Sequence, residues 1–147
     1  VSEQFAVGAG LQLLGNTTVD LISSIVAENV GDDGGPVPSD IGRVGAAPSL
    51  STVGAKRNLV LQSTVPLPKD TVTGLPKLSS LRDNGGLTFT HALSGNSAAL
   101  NAGVNPTSLT SDQRGLGFPR TQGPSTDIGA YELDFDDLIF ADDFGDD

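Results

Sequence analysis

Glycine and proline hold 28 of the 147 positions and fall so densely that no stretch keeps a helical period beyond two turns; only residues 20–28 could be forced into one. Glycine leaves the backbone unrestrained and proline removes a backbone donor, so this spacing argues against a helical bundle. Apolar, β-branched runs survive between the breakers: Leu11, Leu13 and Leu14; Val19, Leu21, Ile22 and Ile25-Val26-Ala27; Asn58-Leu59-Val60-Leu61; and residues 87–93. Such runs favour strands. They are three to six residues long and lie 10–25 residues apart. Residues 29–49 read as a Gly/Asp/Pro/Ser loop outside the core, and 94–130 as turns and short links. Short strands with long corners predict an all-β chain, a parallel β-helix of about 20–25 residues per coil. A β-sandwich is the alternative, although it calls for tighter alternation and more regular turns.

Composition removes several function classes. Eight basic residues face 18 acidic ones, a formal charge of −10, which argues against nucleic acid as a partner because phosphate binding needs clustered Lys and Arg. There is no Cys, hence no disulfide, thiolate metal site or Cys nucleophile. The lack of Cys and Met leaves little to oxidise, which suits a protein outside the cell. No run of about 18 apolar residues exists to span a membrane. The chain opens at Val1 without Met, basic n-region or signal-like stretch, from which we expect a processed piece of an exported protein.

The acidity is concentrated at one end. Residues 131–147 hold eight acidic residues and no basic one, whereas 1–130 hold ten acidic and all eight basic residues. The same 17 residues carry four of the seven aromatics: Tyr131, Phe135, Phe140 and Phe144. A merely solvated acidic tail has little use for aromatics. Leu133 and Phe135 alternate with Asp134 and Asp136, and Leu138 and Phe140 follow with the same spacing, a strand-like pattern with one apolar face. We therefore divide the chain into a body, 1–132, and an acidic-aromatic tail, 133–147, that docks or anchors.

From about residue 22 onward the blocks resemble, in order, the C-terminal part of choice-of-anchor Q, CSLREA-type bacterial secreted proteins. They are Ser24-Ile25-Val26-Ala27-Glu28-Asn29; Pro38-Ser39-Asp40-Ile41 with Gly54 and Asn58-Leu59-Val60; residues 74–93, including Asp83-Asn84-Gly85-Gly86 and Thr90-His91-Ala92-Leu93; residues 95–103; and Asp112-Gln113-Arg114-Gly115, Arg120 and Asp127-Ile128-Gly129-Ala130-Tyr131-Glu132. Asn96, Ala98 and Asn101 depart from the pattern. The resemblance spans about three quarters of the chain. It implies the last coils and closing cap of an exported right-handed parallel β-helix, but no defined activity.

Candidate chemistry is weighed residue by residue. His91, the only histidine, would have to serve any Ser-His-Asp triad; it lies in an apolar block without a Gly-x-Ser-x-Gly elbow, which favours a structural histidine bonded to a neighbouring turn. Asp83, Asn84, Gly85 and Gly86 suit a tight corner better than a phosphate or metal loop, since Asn and Gly tolerate positive φ and Asp accepts backbone N–H bonds. Asp112, Arg114, Asp127, Tyr131 and Glu132 offer acid, base and guanidinium; a glycosidase or lyase would use paired carboxylates, but we expect Arg114 to bind Asp127 or Glu132 bidentately and pin the cap. Asp32-Asp33 and Asp142-Asp143 lack the spacing of a known Ca²⁺ loop, so at most weak Ca²⁺ binding and no other cofactor is expected.

Two functions follow as expectations. The first is a non-enzymatic extracellular or cell-surface protein that associates with copies of itself, or with the rest of a larger parent, as a matrix or filament subunit. Stacked coils expose apolar rungs at a cut end; Phe5 and Val7 at one end and Leu133, Phe135, Leu138, Phe140 and Phe144 at the other would make the contacts. The second is a carbohydrate-directed module that binds, cleaves or eliminates glycans, against which stand the absence of Trp and the single Tyr.

Overall fold

Three short strands early in the chain meet three later ones in the same order. In the computed structural model, which describes residues 10–14, 18–32, 36–44, 49–50 and 56–134, β1 (Leu11–Leu14), β2 (Thr18–Val19) and β3 (Ile25–Val26) come first. After β4 (Val30–Asp32) and β5 (Pro36–Pro38), which pair antiparallel, come β6 (Ile41–Val44), β7 (Ser49–Leu50) and β8 (Leu59–Val60). β1 pairs parallel with β6, β2 with β7 and β3 with β8, matching residues 11, 18 and 25 to 41, 49 and 59. Parallel bridges from Ile41 to Ser63 and from Leu59 to Val72 lay a third, shorter pass beside the second. There is no helix among the described residues, and each strand has two to four residues. The chain is all-β, with its short strands in small parallel sheets and one antiparallel pair.

Parallel strands covered on both faces need apolar residues at successive positions rather than alternate ones. Leu59 and Val60 of β8 meet that need: both are fully buried, and because neighbouring side chains leave a strand on opposite faces they enter different cores. Val60 packs with Leu13, Ile41 and Val65. Leu59 packs with Leu93, Ala99, Ile128, Tyr131 and Leu133. β8 is thus the wall between the strand-bearing part and residues 74–134.

The second part has almost no ladder. Antiparallel bridges Leu78–Leu93 and Arg82–Thr90 form an irregular hairpin, and Ser111–Pro119 closes a second one. Ser23, at φ 47°, ties the two parts together: its N–H donates to the Lys56 carbonyl, its carbonyl accepts from Gly129, and its hydroxyl accepts from Val104.

Several expectations are corrected. Residues 29–49 are not merely a loop, since they carry β4, β5 and β6 and bury Asp40 and Ile41. Long-range pairing of β6 with β1 supplies what local propensity did not show. Successive passes are 30, 31 and 34 residues apart at β1, β2 and β3, longer than the coil length expected. Residues 87–93 form no strand. Leu87 is fully exposed and Phe89 is 61% exposed, while Thr90, Ala92 and Leu93 turn inward. Leu133, expected among the association residues, is buried in the body's own core.

Candidate functional site

Charged side chains fill the space that a ladder would otherwise occupy. Asp112, Arg114, Arg120, Asp127 and Glu132 are all buried, and buried charge is tolerable only when paired and hydrogen-bonded. The chain folds locally to meet that condition. Asp112 accepts the amide of Arg114 two residues on (2.7 Å), and the same guanidinium closes back on its carboxylate through Nε (3.0 Å) and Nη2 (2.8 Å). Nη2 also donates to the Glu132 carbonyl (2.7 Å), and the Glu132 amide donates to Asp112 Oδ2 (2.9 Å). The rings of Phe118 and Tyr131 lie 4.0 and 3.8 Å from the guanidinium carbon, so the cation rests on two aromatic faces.

Arg120 supplies the second pair. Its Nη1 donates to Glu132 Oε2 (2.7 Å), and Nη2 reaches the carbonyls of Asp127 (3.1 Å) and Gly129 (2.9 Å). Glu132 further accepts the Asp127 amide (3.0 Å) and the Gln122 amide (3.1 Å). Asp127 accepts from Asn101 (2.7 Å) and Leu133 (2.8 Å). Burial raises the Glu132 carboxyl above its usual value of 4.5, with the Asp127 charge acting in the same direction; the two amide bonds and Arg120 oppose the shift.

Arg114 therefore pairs with Asp112 and not with the carboxylates of Asp127 or Glu132 as expected. Closing a ring over two residues costs little chain entropy, which leaves Glu132 to Arg120. Arg120 stood in the last sequence block without a role, and Asp40 and Asn58 were passed over likewise. Asp40 takes the Asn29 amide (2.9 Å), the Asn29 side chain (3.0 Å) and the Gln62 amide (2.8 Å). Asn58 bonds the Ser24 amide (3.0 Å) and the Leu21 carbonyl (2.9 Å). The available signal was a polar residue immediately before each apolar pair, Asp40 before Ile41 and Asn58 before Leu59.

Asp83, Asn84, Gly85 and Gly86 form the tip of the 78–93 hairpin. Asp83 accepts the Gly85 amide (2.9 Å), and Asn84 donates to the Thr90 carbonyl (2.8 Å) and hydroxyl (3.0 Å). Gly85 and Gly86 have φ of 90° and 85°, and a Cβ on Gly86 would lie 2.5 Å from the Arg114 carbonyl oxygen. The tip thus leans on the ionic cluster. His91 is exposed, and its Nδ1 lies 2.7 Å from the Ser79 carbonyl oxygen.

Next to this cluster the surface dips into a hollow of about 560 Å³, walled by Ser24 and Ile25 of the β3 segment, Leu78, Leu81, Phe89 and His91 of the hairpin, and Gln113 and Tyr131. A second hollow of about 570 Å³ shares Ser23, Gln113, Gly129 and Ala130 with it.

No group of three or more acidic or histidine side chains converges to hold a metal among the described residues. No helix of the described residues is long and apolar enough to cross a membrane. Of the expected association residues, Phe5, Val7, Phe135, Leu138, Phe140 and Phe144 lie outside the described residues, as do Asp33, Asp142 and Asp143 of the acidic pairs. No family model, curated protein or solved structure matches the chain.

Proposed function

We propose that this chain is a non-enzymatic structural protein of the cell surface or extracellular matrix that associates with copies of itself. In this reading it is a segment of right-handed parallel β-helix, as the resemblance to choice-of-anchor Q proteins implies, whose coils stack and whose C-terminal tail is donated to a neighbour. The observation that carries the reading is the order of the pairing. β1, β2 and β3 each pair on one side only, while Ile41 of β6 and Leu59 of β8 also bridge to the next pass. One face of the stack is continued and the other presents a row of parallel strand edges, which template further pairing. A contact between the start of one stack and the end of the next is head-to-tail, and such contacts propagate.

The site chemistry supports a structural role. Each buried carboxylate in the 112–132 cluster is engaged by amides or guanidinium, and His91 faces a carbonyl rather than a nucleophile. Sedimentation velocity and negative-stain electron microscopy over a wide concentration range test the proposal. Species that grow with concentration into regular fibres are expected. A concentration-independent monomer would overturn it, and unchanged assembly after removal of 133–147 would remove the donated tail from it.

A further inference from the structure

Resting on that self-association reading, we infer that the hollow between the β3 segment and the 78–93 hairpin is the acceptor for the acidic-aromatic segment 135–147 of a second copy of this chain. Three observations converge there. The first is apolar exposure: Leu81 and Phe89, in the hollow's wall, are 56% and 61% exposed, and covering one such side chain strengthens binding about tenfold.

The second is charge. The chain has 18 acidic residues, yet none lines this hollow. Thr90 of its wall is joined through Asn84 to the exposed Arg82, whose Nε donates to Asn84 Oδ1 (3.0 Å) and which makes no ion pair among the described residues. The neighbouring Asp83 gives one oxygen to the Gly85 amide. Residues 135–147 bring the complement, six Asp with no basic residue, interleaved with Phe135, Leu138, Ile139, Phe140 and Phe144. Opposite charge at the rim steers such a segment in, and the apolar floor holds it.

The third is a strand edge. Ile25 lines the hollow, and β3 pairs with β8 on one side only. A segment that alternates apolar and acidic residues can add to such an edge, gaining main-chain bonds along it and placing alternate side chains in the hollow.

The test uses full-length chains impaired in one half of the contact. Phe89→Ser and Arg82→Glu alter the acceptor at exposed positions, and Phe135→Ser with Phe140→Ser alters the donor. By sedimentation velocity we expect each variant to associate about tenfold or more weakly than the parent chain, the Arg82→Glu effect shrinking as salt is raised. Mixing the acceptor and donor variants should restore one intact contact and give 1:1 dimers that do not grow, which also shows that both variants are folded. If the parent chain assembles and the acceptor variants assemble equally well, the hollow is not the acceptor, although the self-association reading stands. If the parent chain stays monomeric at every concentration, that reading falls and the second-copy occupant with it. A hollow filled by the chain's own segment, seen as cross-links within one chain only, or by an added uronate or neutral glycan that leaves the parent's assembly unchanged, would also overturn the inference.

Discussion

The two parts of this molecule satisfy their backbones by different means. In residues 10–72 the amides and carbonyls meet mostly across parallel strand pairs, with Leu13, Ile41 and Val60 beneath them. In residues 74–134 isolated bridges are all that remains of a ladder, and the carboxylates of Asp112, Asp127 and Glu132 accept the amides instead. Both routes obey the rule that a buried polar group must be paired. They differ in how damage spreads. A ladder loses one rung at a time, whereas a buried ionic cluster fails together, because removing one partner strands another charge.

The contrast can be broken most sharply at Arg120. Arg120→Ala leaves Glu132 buried without its cation, and we expect a loss of about 3–5 kcal/mol, measured by chemical denaturation. Tyr131 is the only tyrosine and there is no Trp, so intrinsic fluorescence reports the 74–134 part while far-ultraviolet circular dichroism follows the strands. Because β8 packs into both cores, the two transitions should coincide in the parent chain; separate transitions would show that the parts unfold independently. Leu59→Ala strikes that shared wall and should cost about 2–5 kcal/mol, moving both signals together.

Smaller effects sharpen the comparison at single positions. Gly86→Ala forces a Cβ to 2.5 Å from the Arg114 carbonyl oxygen at φ 85°, for which we expect a loss of at least about 2 kcal/mol. Gly115, at φ 90°, has nothing within 4 Å of the same added atom, so Gly115→Ala should cost only the left-handed backbone penalty, about 1 kcal/mol. Equal losses at the two glycines would mean that the hairpin tip does not bear on the ionic cluster.

The smallest expected effects depend on pH and have opposite signs in the two parts. The Arg57 amide, with help from that of Lys56, holds Asp70 below its usual 3.8 against the opposing effect of burial. Its stabilising contribution is present above pH 3.8 and is lost as pH falls through the lowered value. Glu132 is raised above 4.5, chiefly by burial. The stability carried by its protonated form is full below pH 4.5 and is lost as pH rises through the raised value. Asp70→Asn should therefore flatten the acid limb of a stability–pH profile, and Glu132→Gln should flatten the decline above 4.5.

How much of this could be read beforehand varies by residue. The Asp83-Asn84-Gly85-Gly86 corner is local chemistry, because positive φ and an Asp accepting an amide two residues on need no distant partner. Ionic pairing is not local in that sense. Arg114 had Asp112, Asp127 and Glu132 within its block, and only the path of the chain decides that Asp112 takes it while Arg120 turns to Glu132. β6 escaped notice because Gly42 and Arg43 interrupt its apolar run; its place is set by β1 and by the pass at Ser63.

The spacing of Gly and Pro by itself determined that this chain has short strands and many corners, since long helices cannot form across such breakers whatever surrounds them. The amino-acid order also confined the acid-aromatic mixture to one end. Tertiary structure alone decided which strands meet, which apolar residues of 87–93 point outward, and that Leu133 belongs to the core. The physical reason is the same in each case: local preferences are set by a residue and its neighbours, whereas pairing and burial are set by segments 30 or more residues away.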